Sequence, residues 1–257
     1  MEPVDAATNT AILSARSIPL SRVATDKIVL FGDSLTELSS DLSLGFALAP
    51  ALQHEYFRKL QVITRGYGGY NSEHARHLIE PILDFEAAGG LCRIRLLTIF
   101  FGTNDTSTND YQHIPVERYR ENLQFLVQTA AERQIPTIVT GPGPIDEYSA
   151  AVEENGFSTV RSQTYAAAAR AVAAEAGVPF IDLWTALQEA KGWQPGDPVL
   201  GQKPNQAAGN HLRDLLTDGV HFTGKAYRIW FDLLNKFIVV RSTVKPHEKS
   251  REEGSKG

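Results

Sequence analysis

The chain has 257 residues, 42% of them hydrophobic, and a formal net charge of −5, which suits one large α/β domain or at most two small ones. No long basic run is present, so nucleic acid is not expected as a partner, and no stretch approaches the roughly 18 apolar residues of a membrane span. The N-terminus lacks the basic region of a secretory signal and the chain has one cysteine, Cys92, so the cytosol is the expected location.

The two ends of the chain differ from the part between them. Residues 1–25 show no clean hydrophobic periodicity and are interpreted as an N-terminal extension, with no prediction of its order. Residues 242–257 mix Lys, Arg, Glu, Ser and Gly with one aliphatic side chain, which predicts a polar, solvated tail. One folded domain is therefore expected over residues 26–241.

Between these ends, short apolar runs alternate with longer amphipathic segments. The short runs are rich in Val, Ile, Leu and Phe, and each is followed by a glycine or a polar turn, which is typical of parallel strands buried on both faces. The predicted strands are, in chain order, Lys27–Phe31, Leu60–Thr64, Leu96–Phe101, Pro136–Thr140 and Phe180–Leu183. Cys92 lies beside the third strand and is expected to be a core or boundary thiol rather than a reactive nucleophile.

The longer segments have the 3.6-residue periodicity of amphipathic helices. The spacing predicts helices over Val116–Arg133 and over Thr159–Ala176, with Gly177 as a suitable residue to end the second. A final helix is predicted after Thr223, and Pro81 is expected to break or kink an earlier one. The residues expected to face the core are Tyr119, Leu123, Leu126 and Ala130 in the Val116–Arg133 helix, and Tyr227, Trp230, Leu234 and Phe237 in the final one.

The alternation of strands and helices predicts an α/β fold, in which a central sheet of five parallel strands lies between helices on both faces as a three-layer α/β/α sandwich. Ligands of such sheets bind outside the carboxyl ends of the strands. The loops that follow the first three predicted strands are therefore the expected place for a functional site. They read Gly32-Asp33-Ser34-Leu35, Gly66-Tyr67-Gly68-Gly69-Tyr70-Asn71 and Gly102-Thr103-Asn104-Asp105.

Ester cleavage by a serine requires a hydroxyl, a base and hydrogen-bond donors for the oxyanion. Ser34 follows a strand in a tight turn led by glycine, which would expose its hydroxyl. Gly69 has no side chain to keep a substrate from its main-chain N–H, and Asn104 offers a side-chain amide. The base is expected to be His221, because the carboxylate of Asp218, three residues earlier, can hold Nδ1 and leave Nε2 for the serine.

Together, these blocks resemble those of the SGNH (GDSL-type) hydrolase superfamily, and the resemblance extends over roughly residues 27–237. Longer stretches are similar to the isoamyl acetate-hydrolysing esterase branch of that superfamily. These stretches are Gly32-Asp33-Ser34-Leu35-Thr36 with Gly45-Phe46, Arg65 to Asn71, Phe100 to Asp105, Gln112-His113-Ile114-Pro115, and Asp218 to Phe222. The resemblance implies a flavodoxin-like SGNH hydrolase fold for the predicted domain.

The resemblance also implies a role for each residue of the predicted site. Ser34 would be the nucleophile, His221 the base and Asp218 the group that orients the base. The oxyanion would be bound by the main-chain N–H groups of Ser34 and Gly69 and by the side chain of Asn104. The implied activity is hydrolysis of carboxylic esters through an acyl-enzyme, with short-chain, acetate-type esters of small alcohols as substrates. No metal or other cofactor is expected, and the expected partner is a small-molecule ester.

Other functions are compatible with the same sequence. The enzyme would then be a lipase or lysophospholipase, a carbohydrate O-deacetylase, or an acyltransferase in which an alcohol replaces water, and a domain with a silent serine would be a binding module. A metal-dependent phosphoesterase would use Asp33, Asp105 and His221 as ligands. His113 and His211 rank below His221 as the base. The sequence leaves open the acyl chain length, the natural alcohol, the oligomeric state and the role of the terminal segments.

Overall fold

The computed structural model describes residues 24–203 and 211–238 of the chain. Most of the predicted N-terminal extension and all of the predicted C-terminal tail lie outside these ranges, so the domain bounds 26–241 stay a prediction. Within the described ranges, no helix is long and apolar enough to cross a membrane. The cytosolic location likewise stays a prediction.

Five strands form one parallel sheet in the described part of the chain, in the order β2-β1-β3-β4-β5. Their bounds are Lys27–Gly32 (β1), Gln61–Gly66 (β2), Ile94–Phe100 (β3), Thr137–Thr140 (β4) and Phe180–Ile181 (β5). Each predicted strand is present with shifted ends, so the predicted sheet is confirmed. Strand β5 is shorter than predicted, because the side chain of Asp182 accepts a hydrogen bond from the main-chain N–H of Thr185 and caps a helix that begins at Leu183.

Eight α-helices connect and cover the strands in the described ranges. Their bounds are Ser34–Glu37 (α1), Leu48–Glu55 (α2), Ser72–Ala87 (α3), Val116–Glu132 (α4), Ala150–Asn155 (α5), Thr159–Ala176 (α6), Leu183–Glu189 (α7) and Gly224–Asn235 (α8). Short 3-10 turns lie at Leu38–Ser40, Leu42–Leu44, Ala88–Gly90 and Asn104–Thr106. The three helices predicted from periodicity are confirmed as α4, α6 and α8.

The helices pack on both faces of the sheet, and strand β1 shows how the two faces are filled. Ile28 and Leu30 belong to a core cluster with α2, α7 and α8, whereas Val29 and Phe31 belong to a second cluster with α3, α4 and α6. All four side chains are fully buried, and each such burial stabilises the fold by about 1.5–3 kcal/mol. The predicted three-layer α/β/α sandwich is therefore confirmed.

The structure bears on two details of the predicted helices. Pro81 lies inside α3, which runs without interruption, so of the predicted break or kink the break does not occur. Proline has no N–H to donate to the carbonyl oxygen of His77, four residues earlier, and both residues are exposed. Phe237 lies beyond the end of α8 at Asn235 and is 43% exposed, whereas the other residues predicted to face the core from this helix are fully buried.

A buried carboxylate ties α3 to the first two strands. Glu86 is 1% exposed and accepts hydrogen bonds from Lys27 Nζ at 2.8 Å and from Arg65 Nε at 2.8 Å. Burial opposes the ionisation of Glu86, but these two cations outweigh it and hold the pKa of Glu86 below its ordinary value. Cys92 is buried beside this group, and its thiol donates to the carbonyl oxygen of Glu86 at 3.1 Å, which confirms the expected core thiol.

Candidate active site

The carboxyl ends of β1, β2 and β3 lie side by side, so the loops that follow them start from one place. Gly32 at the end of β1 pairs with Gly66 of β2 and with Phe100 of β3. The main-chain N–H of Tyr67 donates to the carbonyl oxygen of Gly32 at 3.0 Å, which continues the β1–β2 pairing into the loop. The prediction that three polar loops meet at one edge of the sheet is confirmed.

Ser34 is the first residue of the short helix α1, in a tight turn directly after β1. The side chain of Asp33 caps this helix, because its Oδ1 accepts a hydrogen bond from the main-chain N–H of Leu35 at 2.9 Å. The main chain of α1 also lies directly on β2, where a Cβ atom at Gly66 would stand 2.1 Å from the main-chain nitrogen of Glu37. These contacts hold Ser34 half-buried at the sheet edge, with its Oγ in contact with another loop.

That loop carries His221. Its Nε2 lies 2.9 Å from Ser34 Oγ, and its Nδ1 lies 2.7 Å from Oδ2 of Asp218. Oδ1 of Asp218 accepts further hydrogen bonds from the main-chain N–H groups of Val220 at 3.0 Å and of His221 at 2.8 Å. The three side chains that the sequence predicts as a triad are thus brought into one hydrogen-bonded line.

The charges on this line follow from its hydrogen bonds. The hydrogen bond from His221 holds the pKa of Asp218 far below its usual range, although partial burial acts in the opposite direction. The same contact with Asp218 raises the pKa of His221 above its ordinary value, against the effect of burying the ring. Asp218 is therefore ionised at neutral pH, and His221 is a stronger base than a free imidazole. When it is neutral, His221 can accept the proton of Ser34 at Nε2.

The loop that carries the base is held by main-chain pairing, and the serine turn is held by the helix that follows this loop. Leu216 and Phe222 form an antiparallel bridge that closes the loop at its base. From α8, the hydroxyl of Tyr227 donates to the carbonyl oxygen of Leu35 at 2.8 Å, next to Ser34 in the chain. The base and the serine are therefore positioned by the same part of the fold, although they are far apart in sequence.

Asp146 fastens the base loop from the connection after β4. It is 2% exposed, its Oδ2 accepts a hydrogen bond from the main-chain N–H of Leu212 at 2.9 Å, and its own N–H donates to the carbonyl oxygen of Gly219 at 2.9 Å. Asp146 is absent from the sequence prediction, which applied the rule about carboxyl ends only to the loops after the first three strands. The same rule about carboxyl ends, applied to β4, identifies it.

The groups predicted to bind an oxyanion come from the loops after β1, β2 and β3. Asn104 is 6% exposed, and its Nδ2 donates to the carbonyl oxygen of Tyr70 at 2.8 Å, which ties the loop after β3 to the loop after β2. The second N–H of this amide has no acceptor among the described residues, and the same holds for the main-chain N–H groups of Ser34 and Gly69. The predicted donors are therefore free to bind an incoming oxygen atom.

Asp105 fixes the loop that carries Gly69. Its carboxylate accepts hydrogen bonds from the main-chain N–H of Ser72 at 3.1 Å and from the hydroxyl of Ser72, the first residue of α3. Burial raises the pKa of Asp105 to about 7, despite these hydrogen bonds. Burial also raises the pKa of Asp33 to about 7, and the hydrogen bond from Leu35 opposes this shift. Two carboxyl groups thus lie buried within the site loops.

The structure does not support the alternative bases, His113 and His211, or the alternative set of metal ligands. His113 is exposed, and its Nδ1 lies 2.8 Å from a main-chain carbonyl oxygen. His211 is partly buried, and neither histidine hydrogen-bonds to the serine hydroxyl. In residues 24–203 and 211–238, no three His, Cys, Asp or Glu side chains are grouped as a metal site requires, which includes the set of Asp33, Asp105 and His221.

The sequence of this chain matches a known protein family and several known proteins. Residues 30–229 match the GDSL-like Lipase/Acylhydrolase family. The chain belongs to this family. It is 33% identical to the isoamyl acetate-hydrolyzing esterase of Saccharomyces cerevisiae over 226 residues, which cover 83% of this chain and 86% of the relative. It is 31% identical to the isoamyl acetate-hydrolyzing esterase 1 homolog of Homo sapiens, with 80% of this chain and 88% of the relative covered.

Membership of the GDSL family makes this chain a carboxylic ester hydrolase. A crystal structure of the lipase/acylhydrolase from Enterococcus faecalis matches it with a TM-score of 0.57 and 24% identity, covering 82% of this chain and 94% of that one. At this identity the likeness shows the fold alone, and that fold is the one predicted from the sequence. The predicted family resemblance is likewise confirmed.

Proposed function

We propose that this GDSL-family hydrolase is a serine esterase that cleaves short-chain, acetate-type esters of small alcohols through an acyl-enzyme on Ser34. The observation that carries the proposal is the line of contacts from Ser34 Oγ to His221 Nε2, at 2.9 Å, and from His221 Nδ1 to Asp218 Oδ2, at 2.7 Å. Acyl transfer to a serine needs a hydroxyl, a base, and a charge that orients the base and stabilises its protonated form.

In the first half of the proposed reaction, Ser34 Oγ attacks the carbonyl carbon of the ester while His221 Nε2 accepts the hydroxyl proton. The N–H groups of Ser34, Gly69 and Asn104 bind the negative charge that develops on the carbonyl oxygen. Asp218 stabilises the imidazolium without taking its proton, because the pKa of Asp218 lies far below that of imidazole. The bond between the carbonyl carbon and the alcohol oxygen then breaks, and His221 gives its proton to the leaving alcohol.

In the second half, water takes the place of the alcohol. His221 accepts a proton from the water as its oxygen attacks the acyl carbon, and the same donors bind the oxyanion. The bond from that carbon to Ser34 Oγ breaks, and Oγ regains a proton from His221. The carboxylic acid leaves, and the side chains return to their starting protonation states.

Support for a small substrate comes from the relatives. The Saccharomyces cerevisiae protein is named for the hydrolysis of isoamyl acetate, which is an acetate ester of a small alcohol. The Homo sapiens relative is named as a homolog of that esterase. We extend this substrate class to the present chain because the 33% identity to the first relative runs over 83% of its length.

The test is the hydrolysis of p-nitrophenyl esters of increasing acyl length, and of isoamyl acetate, by the purified wild-type protein and the Ser34→Ala variant. We expect the highest kcat/KM on the shortest acyl chains. Ser34→Ala should lower kcat by several orders of magnitude and keep the melting temperature. Mass spectrometry after treatment with an active-site phosphonate should place the label on Ser34. If Ser34→Ala keeps most of its activity, the nucleophile is wrongly assigned.

Other outcomes of the same assays identify the alternatives. A preference for long acyl chains indicates a lipase or lysophospholipase, and turnover confined to acetylated carbohydrate indicates an O-deacetylase. Ester formation with an added alcohol that outpaces hydrolysis indicates an acyltransferase. A protein that turns over no ester and does not react with the phosphonate is a binding module.

A further inference from the structure

Gln112 connects the two loops that supply the proposed oxyanion donors after β2 and β3. It lies in the segment between β3 and α4 and is half-buried. Its Nε2 donates two hydrogen bonds, to Oδ1 of Asn104 at 3.0 Å and to the carbonyl oxygen of Gly69 at 3.1 Å. One side-chain amide therefore touches a residue of each loop.

The contacts of Asn104 determine which way its amide is turned. A main-chain carbonyl oxygen only accepts hydrogen bonds, so the atom of Asn104 that lies 2.8 Å from the carbonyl oxygen of Tyr70 is Nδ2. The atom that faces Nε2 of Gln112 is then Oδ1, which can accept. The carbonyl oxygen of Gly69 likewise requires Gln112 to present Nε2. Two main-chain carbonyl groups thus specify the orientation of both side-chain amides.

Gln112 is held in place by two asparagines. Nδ2 of Asn109 donates to Oε1 of Gln112 at 2.8 Å, and the main-chain N–H of Gln112 donates to Oδ1 of Asn109 at 2.9 Å. Nδ2 of Asn71, the residue that caps α3, donates to the carbonyl oxygen of Gln112 at 3.1 Å. Both ends of the Gln112 amide have partners, so it cannot turn over without losing hydrogen bonds.

We propose that Gln112 is a positioning residue, which gives the Asn104 amide a second fixed point and so holds its free N–H toward the oxyanion. The inference rests on the proposed function, because it needs Asn104 as an oxyanion donor. Without Gln112, Oδ1 of the nearly buried Asn104 has no donor among the described residues. The amide then keeps only its hydrogen bond to the carbonyl oxygen of Tyr70, so its free N–H is held less firmly toward the place where negative charge develops in the reaction.

The test is a double-mutant cycle on the full chain. Gln112→Met removes all three hydrogen bonds of the side-chain amide, two from Nε2 and one to Oε1, at a similar side-chain volume, and Asn104→Ala removes the amide that Gln112 holds. Gln112→Met alone should lower kcat on p-nitrophenyl acetate about tenfold and change KM less than about twofold. In the Asn104→Ala background, the same substitution should change kcat less than about twofold, because the group through which Gln112 acts is gone.

A second variant makes the test sharper. Gln112→Glu keeps the shape of the side chain but places a carboxylate oxygen against the oxygen atoms of Asn104 and Gly69. This variant should lose more activity than Gln112→Met, because its carboxylate repels Oδ1 of Asn104 and displaces the amide.

Gln53→Met is the matched control. Gln53 is half-buried, its Nε2 donates to the carbonyl oxygen of Leu60 at 3.1 Å, and its Oε1 accepts from the main-chain N–H of Val62 at 2.9 Å. These contacts lie at the end of β2 away from the candidate site. Gln53→Met should lower the melting temperature about as much as Gln112→Met does, and it should leave kcat unchanged.

Three results would overturn the inference and leave the proposed esterase intact. These are an equal loss from Gln112→Met in both backgrounds, an unchanged kcat in both Gln112 variants, and a loss of kcat in Gln53→Met as large as that in Gln112→Met. If Asn104→Ala itself leaves kcat unchanged, the donor is wrongly assigned, and this part of the proposed function and the inference fail together.

Discussion

The proposed site has two sides that are built in different ways. The base side consists of Asp218 and His221, which are three residues apart, and their side chains are 43% and 30% exposed. The donor side consists of Gly69 from the loop after β2, and of Asn104 and Gln112 from the connection between β3 and α4, and hydrogen bonds join the three residues. The charge of a residue nearby in sequence therefore orients the base, whereas hydrogen bonds between the loops after β2 and β3 position the donors.

The two sides also differ in the state of their carboxyl groups. On the base side, hydrogen bonds hold the pKa of Asp218 low, so that it stays charged beside the imidazole. In the loops of the serine and the donors, burial raises the pKa of Asp33 and of Asp105 to about 7, and these groups accept hydrogen bonds from Leu35 and Ser72. Charge is thus kept where an imidazolium forms, and the buried carboxyl groups position the main chain.

The largest loss of activity is expected on the base side. His221→Ala deletes the base, and Asp218→Asn removes the charge that stabilises the imidazolium. Asp218→Asn should lower kcat by up to about 10⁴-fold, and His221→Ala should be at least as damaging. Initial rates on p-nitrophenyl acetate check this, with His113→Ala as the control that keeps full activity. Full activity in His221→Ala combined with a loss in His113→Ala would move the base to His113.

A smaller loss is expected when one donor is removed. Asn104→Ala should lower kcat by roughly 10²–10³, the loss typical of one oxyanion donor, and should leave KM nearly unchanged. Asn235→Ala is the control, because Oδ1 of Asn235 accepts a hydrogen bond from Tyr56 at the far end of α8. A change confined to KM in Asn104→Ala would identify this residue as a group that positions the substrate.

A still smaller loss is expected from Gly69→Ala. Gly69 has a φ of +76°, which costs an L-residue about 1 kcal/mol, but a Cβ atom there would meet nothing closer than Nε2 of Gln112 at 3.6 Å. The variant should therefore fold and lose about tenfold in kcat, because the main-chain N–H is displaced rather than removed. Gly177→Ala carries a similar strain at a φ of +65° and has nothing within 4 Å, so it should keep full activity. Steady-state kinetics and melting curves of both variants test whether the N–H of Gly69 contributes to catalysis. Equal losses of kcat in the two variants would contradict this role.

The smallest effect concerns the pH dependence. His221 must be neutral to accept a proton, so kcat/KM should rise with pH, and because Asp218 raises the pKa of His221, the midpoint of this rise should lie above 6.5. Asp218→Asn removes the main cause of the shift and should move the midpoint to lower pH. Asp33 raises the same pKa more weakly, so Asp33→Asn should move the midpoint in the same direction by less. Asp232→Asn, on the exposed side of α8, is the control; equal midpoints in all four proteins would contradict the assignment.

The fold and the position of the site follow from patterns that are visible along the chain. Short apolar runs predict the strands, because a strand buried on both faces of a sheet requires apolar side chains on both. The 3.6-residue periodicity predicts the helices, because it places the apolar side chains on one face of a helix. The carboxyl-end rule then brings together the loops of Ser34, Gly69 and Asn104. The pairing of Asp218 with His221 is predictable for a local reason, since the contact spans three residues.

The contacts that hold this site in place depend instead on residues that are distant in the chain. Gln112 reaches back 8 residues to Asn104 and 43 residues to Gly69, and Asp146 bonds to Leu212 across 66 residues. A glutamine or an aspartate has the same donors and acceptors wherever it stands, so its residue type does not indicate which distant group it will meet. Packing of the loops against one another selects these partners. Tertiary packing likewise places His77 and Pro81 on the exposed side of α3, which continues through the proline.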